Sequence, residues 1–177
     1  ADKFDDLPSF IDRIVSLAQS ASDSFSAVYF SLVPERDELH LTSSQTSSNN
    51  LLGNAIISAS SGYLGICAER SDIIHLEGFS GNSLSLGDYS KKENIKSVIA
   101  IPVTSIQGKV LGVLCCDSKS FSSYSKPIQL ALSDCAALIS EHISSGKTES
   151  GNYLEASPSY ITSEFIDFIK KIRECKS

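Results

Sequence analysis

The sequence predicts an α+β fold in which helices pack against an antiparallel β-sheet, and three observations lead to this prediction. Apolar residues recur every three or four positions over 7–22 and again over 125–145, as in helices with one buried face. Two pairs of apolar runs, within 25–42 and 97–116, are each interrupted by a short turn, as in β-hairpins. The order helix, hairpin, short strand and helix, hairpin, helix favours an antiparallel sheet with helices packed on it.

The first half of the chain contains one long helix and several short elements. Pro8 lies in the first turn of the helix, where a missing backbone N–H costs little. The alternating strand 25–33 is followed by the turn Pro34–Asp37. The sequence then predicts a strand over 38–42, a loop over 43–50, a strand over 55–58, a helix over 62–68 and a strand over 73–76.

The second half begins with a long segment, 77–94, that contains three glycines and has little periodicity. Because long connections in a compact domain are more often functional than idle, we predict a mobile lid here. The strands 97–103 and 109–116 follow, joined by a turn at 106–108. Both are almost wholly apolar, which predicts a sheet that is covered on both faces.

The end of the chain differs in composition from the rest. Residues 1–146 are predicted to form one domain, and residues 147–177 a linker followed by a connector helix that begins near Ile161. Met is absent from the whole sequence, including position 1, so we expect a module taken from a larger protein.

Charge and composition exclude several classes of function. The chain has 15 Lys and Arg against 21 Asp and Glu, a formal net charge of −6, and no cluster of basic residues. Since phosphate neutralisation requires clustered Lys and Arg, nucleic-acid binding is disfavoured. No apolar run approaches the roughly 18 residues of a membrane span, and no secretory signal opens the chain. We therefore expect a cytoplasmic protein.

The cysteines and histidines do not form a recognisable metal or disulfide pattern. The five cysteines are odd in number and lack Cys-x-x-Cys spacing, which favours reduced thiols. The three histidines have no companion ligand at metal-binding spacing. We expect no metal.

Four motifs of this chain share their order and spacing with a known family. They are the helix 62–70 (Gly-x-x-Gly), the strand 95–103 (Lys-Ser-x-x-x-x-Pro), the strand 108–114 (Gly-x-x-x-Gly-Val-Leu) and the segment 116–121 (Cys-Asp-Ser-x-x-Phe). Together they resemble a GAF domain over roughly residues 7–145. The resemblance implies a six-stranded antiparallel sheet with helices on one face and a small-molecule pocket on the other.

The resemblance also implies a function. GAF domains are sensory or regulatory modules, so we expect ligand binding without catalysis and a homodimer formed through the helices 7–22 and 125–145. The connector helix would lead to an output domain that is missing from this chain. Ordering of residues 78–95 around the ligand would then shift the packing of the terminal helices.

The implied pocket has two sets of candidate lining residues. The sheet would contribute Ser97, Ile99, Cys115 and Asp117, and the long segment would close the pocket with Phe79, Asp88 and Tyr89. The ligand and any cofactor stay unidentified. Cyclic-nucleotide binders of the family carry an Asn-Lys…Phe…Asp-Glu signature where this chain has the segment 117–121 (Asp-Ser-Lys-Ser-Phe), in which the Asn is replaced and which no Asp-Glu pair follows.

Three further hypotheses follow from the same resemblance. A structural dimerisation module would fill the pocket with its own side chains, for which Phe79 and Tyr89 are suitable. A free methionine sulfoxide reductase would use thiols, and Cys67 falls close to one cysteine of that subfamily, but the cysteine pair expected in the lid is absent and Val98 and Cys115 replace expected carboxylates. A chromophore-binding domain would need a lid cysteine, which is also absent.

A redox sensor could use only the adjacent pair Cys115-Cys116. A disulfide between neighbours is strained, so packed thiols are favoured.

Overall fold

The computed structural model describes residues 9–79 and 83–146, which form three helices and six strands. The helices are α1 (Phe10–Ser22), α2 (Gly62–Arg70) and α3 (Lys126–Ser144). The strands are β1 (Ser26–Val33), β2 (Glu38–Thr46), β3 (Ile56–Ser58), β4 (Ile74–Leu76), β5 (Ser97–Thr104) and β6 (Val110–Ser118).

The six strands form one sheet in the order β3-β2-β1-β6-β5-β4. Every neighbouring pair is antiparallel, so the predicted α+β fold with a six-stranded antiparallel sheet is confirmed. The long strands β1, β5 and β6 lie in the middle, with the three-residue strands β3 and β4 at the edges. The predicted turn before β6 closes with a hydrogen bond from the Gly108 N–H to the Ser105 carbonyl, 2.9 Å.

One face of the sheet is covered by α1 and α3. Val15 of α1 and Leu132 and Ile139 of α3 are fully buried against sheet residues that include Tyr29 and Ile99. We call this the helix face. Helix α1 begins with a capping box, in which Ser9 and Asp12 each accept a hydrogen bond from the other's backbone N–H.

The opposite face carries α2 and a long connection. Leu64 and Cys67 of α2 are buried against Val98, Ala100 and Cys115 of β5 and β6. We call this the strap face. Successive residues of a strand point to opposite faces of the sheet. Since β5 and β6 are apolar along most of their length, both of their faces are buried, as the sequence predicted.

The predicted loop over 43–50 is wrong in its first part, because β2 continues to Thr46. Its first residues pair with the start of β1, and two of its hydroxyl side chains bond polar partners. Ser43 donates a hydrogen bond to Asp12 of α1 at 2.5 Å, and Thr46 bonds Ser26 at 2.6 Å. Side-chain partners of this kind allow a polar run to form a strand, which its composition alone does not predict.

Gly112 on β6 allows a close approach to the neighbouring strand β1. A Cβ atom at this position would lie 2.2 Å from the Phe30 carbonyl oxygen and 2.6 Å from the Tyr29 hydroxyl. Only glycine allows β6 to pair with β1 here while the Tyr29 ring lies across it.

The predicted linker and connector helix of residues 147–177 lie outside the described residues. Within residues 9–79 and 83–146, no helix combines the length and the apolar character needed to cross a membrane.

Candidate functional site

Residues 83–95, which we call the strap, pack on the strap face of the sheet. The strap begins with a 3-10 turn, Ser83–Leu86, and buries Leu86, Asp88, Tyr89 and Ile95. Gly87 has a φ of +85°, and a Cβ there would lie 2.4 Å from the Ile57 side chain. Glycine at this position therefore lets the chain turn so that the next two residues are buried.

Backbone hydrogen bonds hold the strap to the segment after β2. The Leu52 N–H donates to the Asp88 carbonyl at 2.7 Å, and the Ser90 N–H donates to the Asn50 carbonyl at 2.8 Å. Leu51 and Tyr89 form a one-residue antiparallel bridge between the same segments. The strap is thus attached at its middle by a short ladder.

Glu93 forms a second attachment point. Its carboxylate accepts hydrogen bonds from Ser48 at 2.5 Å and Asn50 at 2.9 Å, and pairs with Lys119 at 3.2 Å. These donors hold the pKa of Glu93 below its usual value. The Lys119 ammonium also lies 4.1 Å from the centre of the Phe25 ring. Three loops therefore meet at this end of the sheet.

Asp117 lies beneath the strap at the end of β6 and is 2% exposed. Its carboxyl accepts hydrogen bonds from the Tyr89 hydroxyl at 2.6 Å and from the Ser26 N–H at 3.1 Å. The Tyr89 hydroxyl is also 2.7 Å from the Ser26 Oγ, which is 2.6 Å from the Thr46 hydroxyl. A continuous polar chain therefore runs from β2 through β1 and the strap to β6.

Burial has the largest effect on the pKa of Asp117. Desolvation raises the pKa of Asp117 to about 8, although the hydrogen bonds from Tyr89 and Ser26 favour the charged form. Burial and the neighbouring Asp117 both raise the pKa of Tyr89, so its hydroxyl keeps its proton and can donate it.

Asp88 is a buried acid with one unsatisfied oxygen. It is 1% exposed, and its Oδ1 has no hydrogen-bond partner among the described residues. Desolvation raises the pKa of Asp88 to about 7, although a backbone hydrogen bond to the carboxyl lowers it. The Asp88 carboxylate in turn raises the pKa of Asp117 and of Cys115, so the three side chains are close enough to interact. A buried carboxyl oxygen without a partner is unusual and is typical of functional sites.

The thiols of this region are buried and protonated. Burial, followed by the charge of Asp72, raises the pKa of Cys67 to about 12, and burial raises the pKa of Cys115 well above its usual value. Cys115 belongs to the strap face and Cys116 to the helix face, so their side chains point away from each other. This geometry prevents a disulfide between the two neighbours.

Five of the seven predicted site residues lie together on the strap face. They are Phe79, Asp88, Tyr89, Cys115 and Asp117. The prediction that Ser97 and Ile99 line the same pocket is wrong. Ile99 packs among the residues of the helix face, and Ser97, two positions away on the same side of β5, donates to the Ser120 carbonyl. Val98 and Ala100 take their places on the strap face.

Ser26 and Thr46 complete the polar chain, and the sequence-based prediction did not include them. Ser26 is the β1 partner of Asp117 in the sheet. A serine at the start of an apolar strand is the available signal, but its meaning depends on knowing that β1 pairs with β6. Among the described residues, no three His, Cys, Asp or Glu side chains converge in a way that could hold a metal ion.

Tyr89→Phe is expected to reduce the free energy of unfolding by about 2 kcal/mol, because it leaves the buried Asp117 Oδ2 without its donor and removes one of the two hydroxyl partners of Ser26. It should also raise the pKa of Asp117, which loses a hydrogen bond to its charged form. Chemical denaturation measures the first effect. Tyr63→Phe is the control, since the Tyr63 hydroxyl makes no hydrogen bond with the described residues, while its ring packs edge-on against Phe79 and is kept in the variant. Equal losses in both variants would contradict a specific role for the Tyr89 hydroxyl.

The family model for the GAF domain matches residues 6–143, so the chain belongs to the GAF domain family. No curated protein sequence matches it. Solved structures share its fold at low sequence identity. One is the GAF domain of a phosphoenolpyruvate-protein phosphotransferase from Acinetobacter, with a TM-score of 0.62, 20% identity and coverage of 78% of this chain and 84% of that one.

Two other solved structures have the same degree of similarity. The GAF domain region of a putative membrane protein from Geobacter sulfurreducens has a TM-score of 0.62 and 18% identity, covering 76% of this chain and 90% of that one. A free methionine-R-sulfoxide reductase from Neisseria meningitidis, solved with its substrate, has a TM-score of 0.62 and 17% identity, covering 76% of this chain and 75% of that one. At these identities the likeness shows the fold that they have in common.

Proposed function

We propose that this chain is a ligand-responsive regulatory GAF domain whose small-molecule ligand binds between the strap and the sheet. The observation that carries the proposal is the Asp88 carboxyl, which is 1% exposed and has an oxygen without a partner among the described residues. A ligand that bonds this oxygen would remove a cost that the protein alone leaves uncompensated.

The attachments of the strap support its role as the moving part. Leu86, Tyr89 and Ile95 pack into the apolar cluster of the strap face, but the attachments to the segment 48–52 and to Lys119 are hydrogen bonds and one half-exposed ion pair, which a competing ligand or water can replace. Polar attachments of this kind open at a lower free energy than a packed core does. The strap is therefore suited to open for a ligand and to close over it.

A polar route connects the strap with α1. The chain of hydroxyls from Tyr89 ends at Thr46, and Ser43, three residues earlier on the same strand, bonds Asp12 of α1. A shift of β2 that accompanies strap closure would reach α1 directly. Leu130 and Ile143 of α3 are 61% and 37% exposed, and we propose that they pack against a second copy in a cytoplasmic homodimer.

We propose that the domain has no catalytic activity of its own. A thiol reductase needs a thiolate nucleophile, and the pKa of Cys67 is raised to about 12 by its buried position. Cys115 is buried and its pKa is raised further. Neither thiol has a neighbouring cation among the causes of its shift, which is the usual means of lowering a thiol pKa.

Native mass spectrometry of the full chain with a library of small metabolites tests ligand binding. We expect a non-covalent mass on the folded protein that is lost on denaturation. Gly87→Ala should abolish it, because the added Cβ pushes against Ile57 and displaces the strap. Gly108→Ala is the matched control, since its φ is also positive, +80°, but a Cβ there meets nothing within 4 Å.

A folded protein that binds no member of the library would overturn the proposal. A homodimer without any ligand would instead favour the structural dimerisation module, with Phe79 and Tyr89 as the side chains that fill the strap face. Loss of the bound mass in Gly108→Ala as well would show that the strap has no specific role.

A further inference from the structure

We infer that the ligand of this site carries a protonated amine, which pairs with the Asp88 carboxylate beneath the strap. The inference rests on the proposed function, since it names the chemical class of ligand for the same site. The Oδ1 of Asp88 has no partner among the described residues, so the ligand must supply the hydrogen-bond donor that satisfies it.

Among the described residues, the ionisable groups that interact with Asp88 are all acids. Asp117 and Cys115 on β6 and Tyr89 on the strap lie in its electrostatic range, and Glu93 acts on Asp117 from the other end of the strap. Cys115 and Tyr89 keep their protons and burial raises the pKa of Asp117 to about 8, so the negative charge of the buried site begins with the ionisation of Asp88. The ammonium of Lys119 is engaged with Glu93 and with the Phe25 ring. A cationic ligand would therefore pair with the ionised Asp88, whereas an anion would be repelled by it.

The side chains that surround the buried acids on the strap face are mostly apolar. Val98, Ala100 and Cys115 present aliphatic or thiol surface on the strap face, and Leu86 and Phe79 are buried against the same cluster. Such a surface suits an aliphatic carbon skeleton. One free carboxylate oxygen does not provide the three or more ligands of a metal site. The described residues contain no group of three His, Cys, Asp or Glu side chains that could hold a metal ion. A small alkylammonium fits both parts of the site.

Binding of such a ligand must be linked to pH. The amine is protonated throughout the neutral range, since an alkylamine titrates near pH 10. Asp88 has to be ionised to pair with it, and burial raises the pKa of Asp88 to about 7 in the free protein. Below that pH the ligand must displace a proton. We therefore expect the affinity to be about tenfold weaker at pH 6 than at pH 8.

Three probes with similar carbon skeletons test the inference on the full chain: isobutylamine, isobutanol and isobutyrate. Proton–nitrogen correlation spectra are recorded at pH 6 and pH 8 while each probe is added. We expect isobutylamine alone to shift strap and β6 amide signals saturably, with the tenfold weaker affinity at pH 6. Asp88→Asn should lose this binding at least tenfold. Asp23→Asn, which removes an exposed acid at a position where Asn also adopts the positive φ of 51°, should retain it.

Three outcomes would overturn the inference. Equal or stronger binding of isobutanol or isobutyrate at the strap would show that the site is not selective for a cation, and would leave the proposed function intact. Isobutylamine binding that survives in Asp88→Asn would place the amine elsewhere. Absence of a strap response to isobutylamine at both pH values would show that Asp88 does not recruit an amine. The metabolite library distinguishes this result from failure of the proposed function, since ligands of other classes still register there.

Discussion

Asp88→Asn is expected to stabilise the domain by about 2 to 4 kcal/mol at pH 8 and to have little effect at pH 4. The folded-state pKa of Asp88 is about 7, whereas an unfolded Asp titrates near 3.9. Between these values the folded protein holds a proton that the unfolded chain has lost. The free energy of unfolding therefore falls by about 1.4 kcal/mol per pH unit as the pH rises from 4 to 7.

Above pH 7 Asp88 is charged in both the folded and the unfolded state, so the loss of unfolding free energy stays constant at its full value. The asparagine variant lacks this titration, although its buried amide is imperfectly bonded and recovers only part of the energy. Urea denaturation of both proteins at each pH from 4 to 8 measures the effect. Asp23→Asn should follow the wild-type pH dependence because Asp23 is exposed. Wild-type and Asp88→Asn curves that run parallel across this range would contradict the buried ionisation of Asp88.

Gly112→Ala is expected to reduce the free energy of unfolding by at least about 3 kcal/mol. The new Cβ would lie 2.2 Å from the Phe30 carbonyl oxygen, which is backbone of the neighbouring strand and cannot rotate away. Since β1 and β6 lie in the middle of the sheet, the strands must separate or the Tyr29 ring must leave its place.

Gly53→Ala is the matched control, because nothing lies within 4 Å of a Cβ at that position. It should be neutral within about 0.5 kcal/mol. Chemical denaturation at one fixed pH gives both values. A Gly112→Ala variant as stable as Gly53→Ala would show that β1 and β6 do not approach each other as described.

Most of the fold could be predicted from local patterns. The helical spacing of α1 and α3 and the apolar runs of β5 and β6 each depend on residues close in the chain. The end of β2 could not be predicted in this way. Ser43 and Thr46 are polar, and they are strand residues because Asp12 and Ser26, which are distant in sequence, bond their hydroxyls. Contacts of that kind are invisible until the elements have been arranged.

The sequence indicated which segments form the site, but not which face of each strand points toward it. Both sides of β5 are apolar, so the alternation that separates Ile99 from Val98 does not reveal which of them faces the strap. The choice of Ser97 and Ile99 failed for this reason. The structure brings Asp88 and Tyr89 of the long segment together with Cys115 and Asp117 of β6, and whether these residues bind a ligand stays a prediction.

The buried acids relate stability to function. The buried Asp88 carboxyl, whose Oδ1 has no partner among the described residues, lowers the stability of the free domain. Sites prepared for a ligand are commonly destabilised in its absence. Binding would then stabilise the domain by more than the direct contacts suggest, because it compensates for that cost.

The most direct measurement is the titration of the Asp88 side-chain carboxyl, followed by the carbon-13 chemical shift of that carboxyl in the full chain. Asp88→Asn assigns the signal. We expect a midpoint near pH 7 in the free protein, raised by burial, and a lower midpoint when isobutylamine is bound. A midpoint near 4 in the free protein would contradict the buried Asp88 carboxyl on which the proposed site depends.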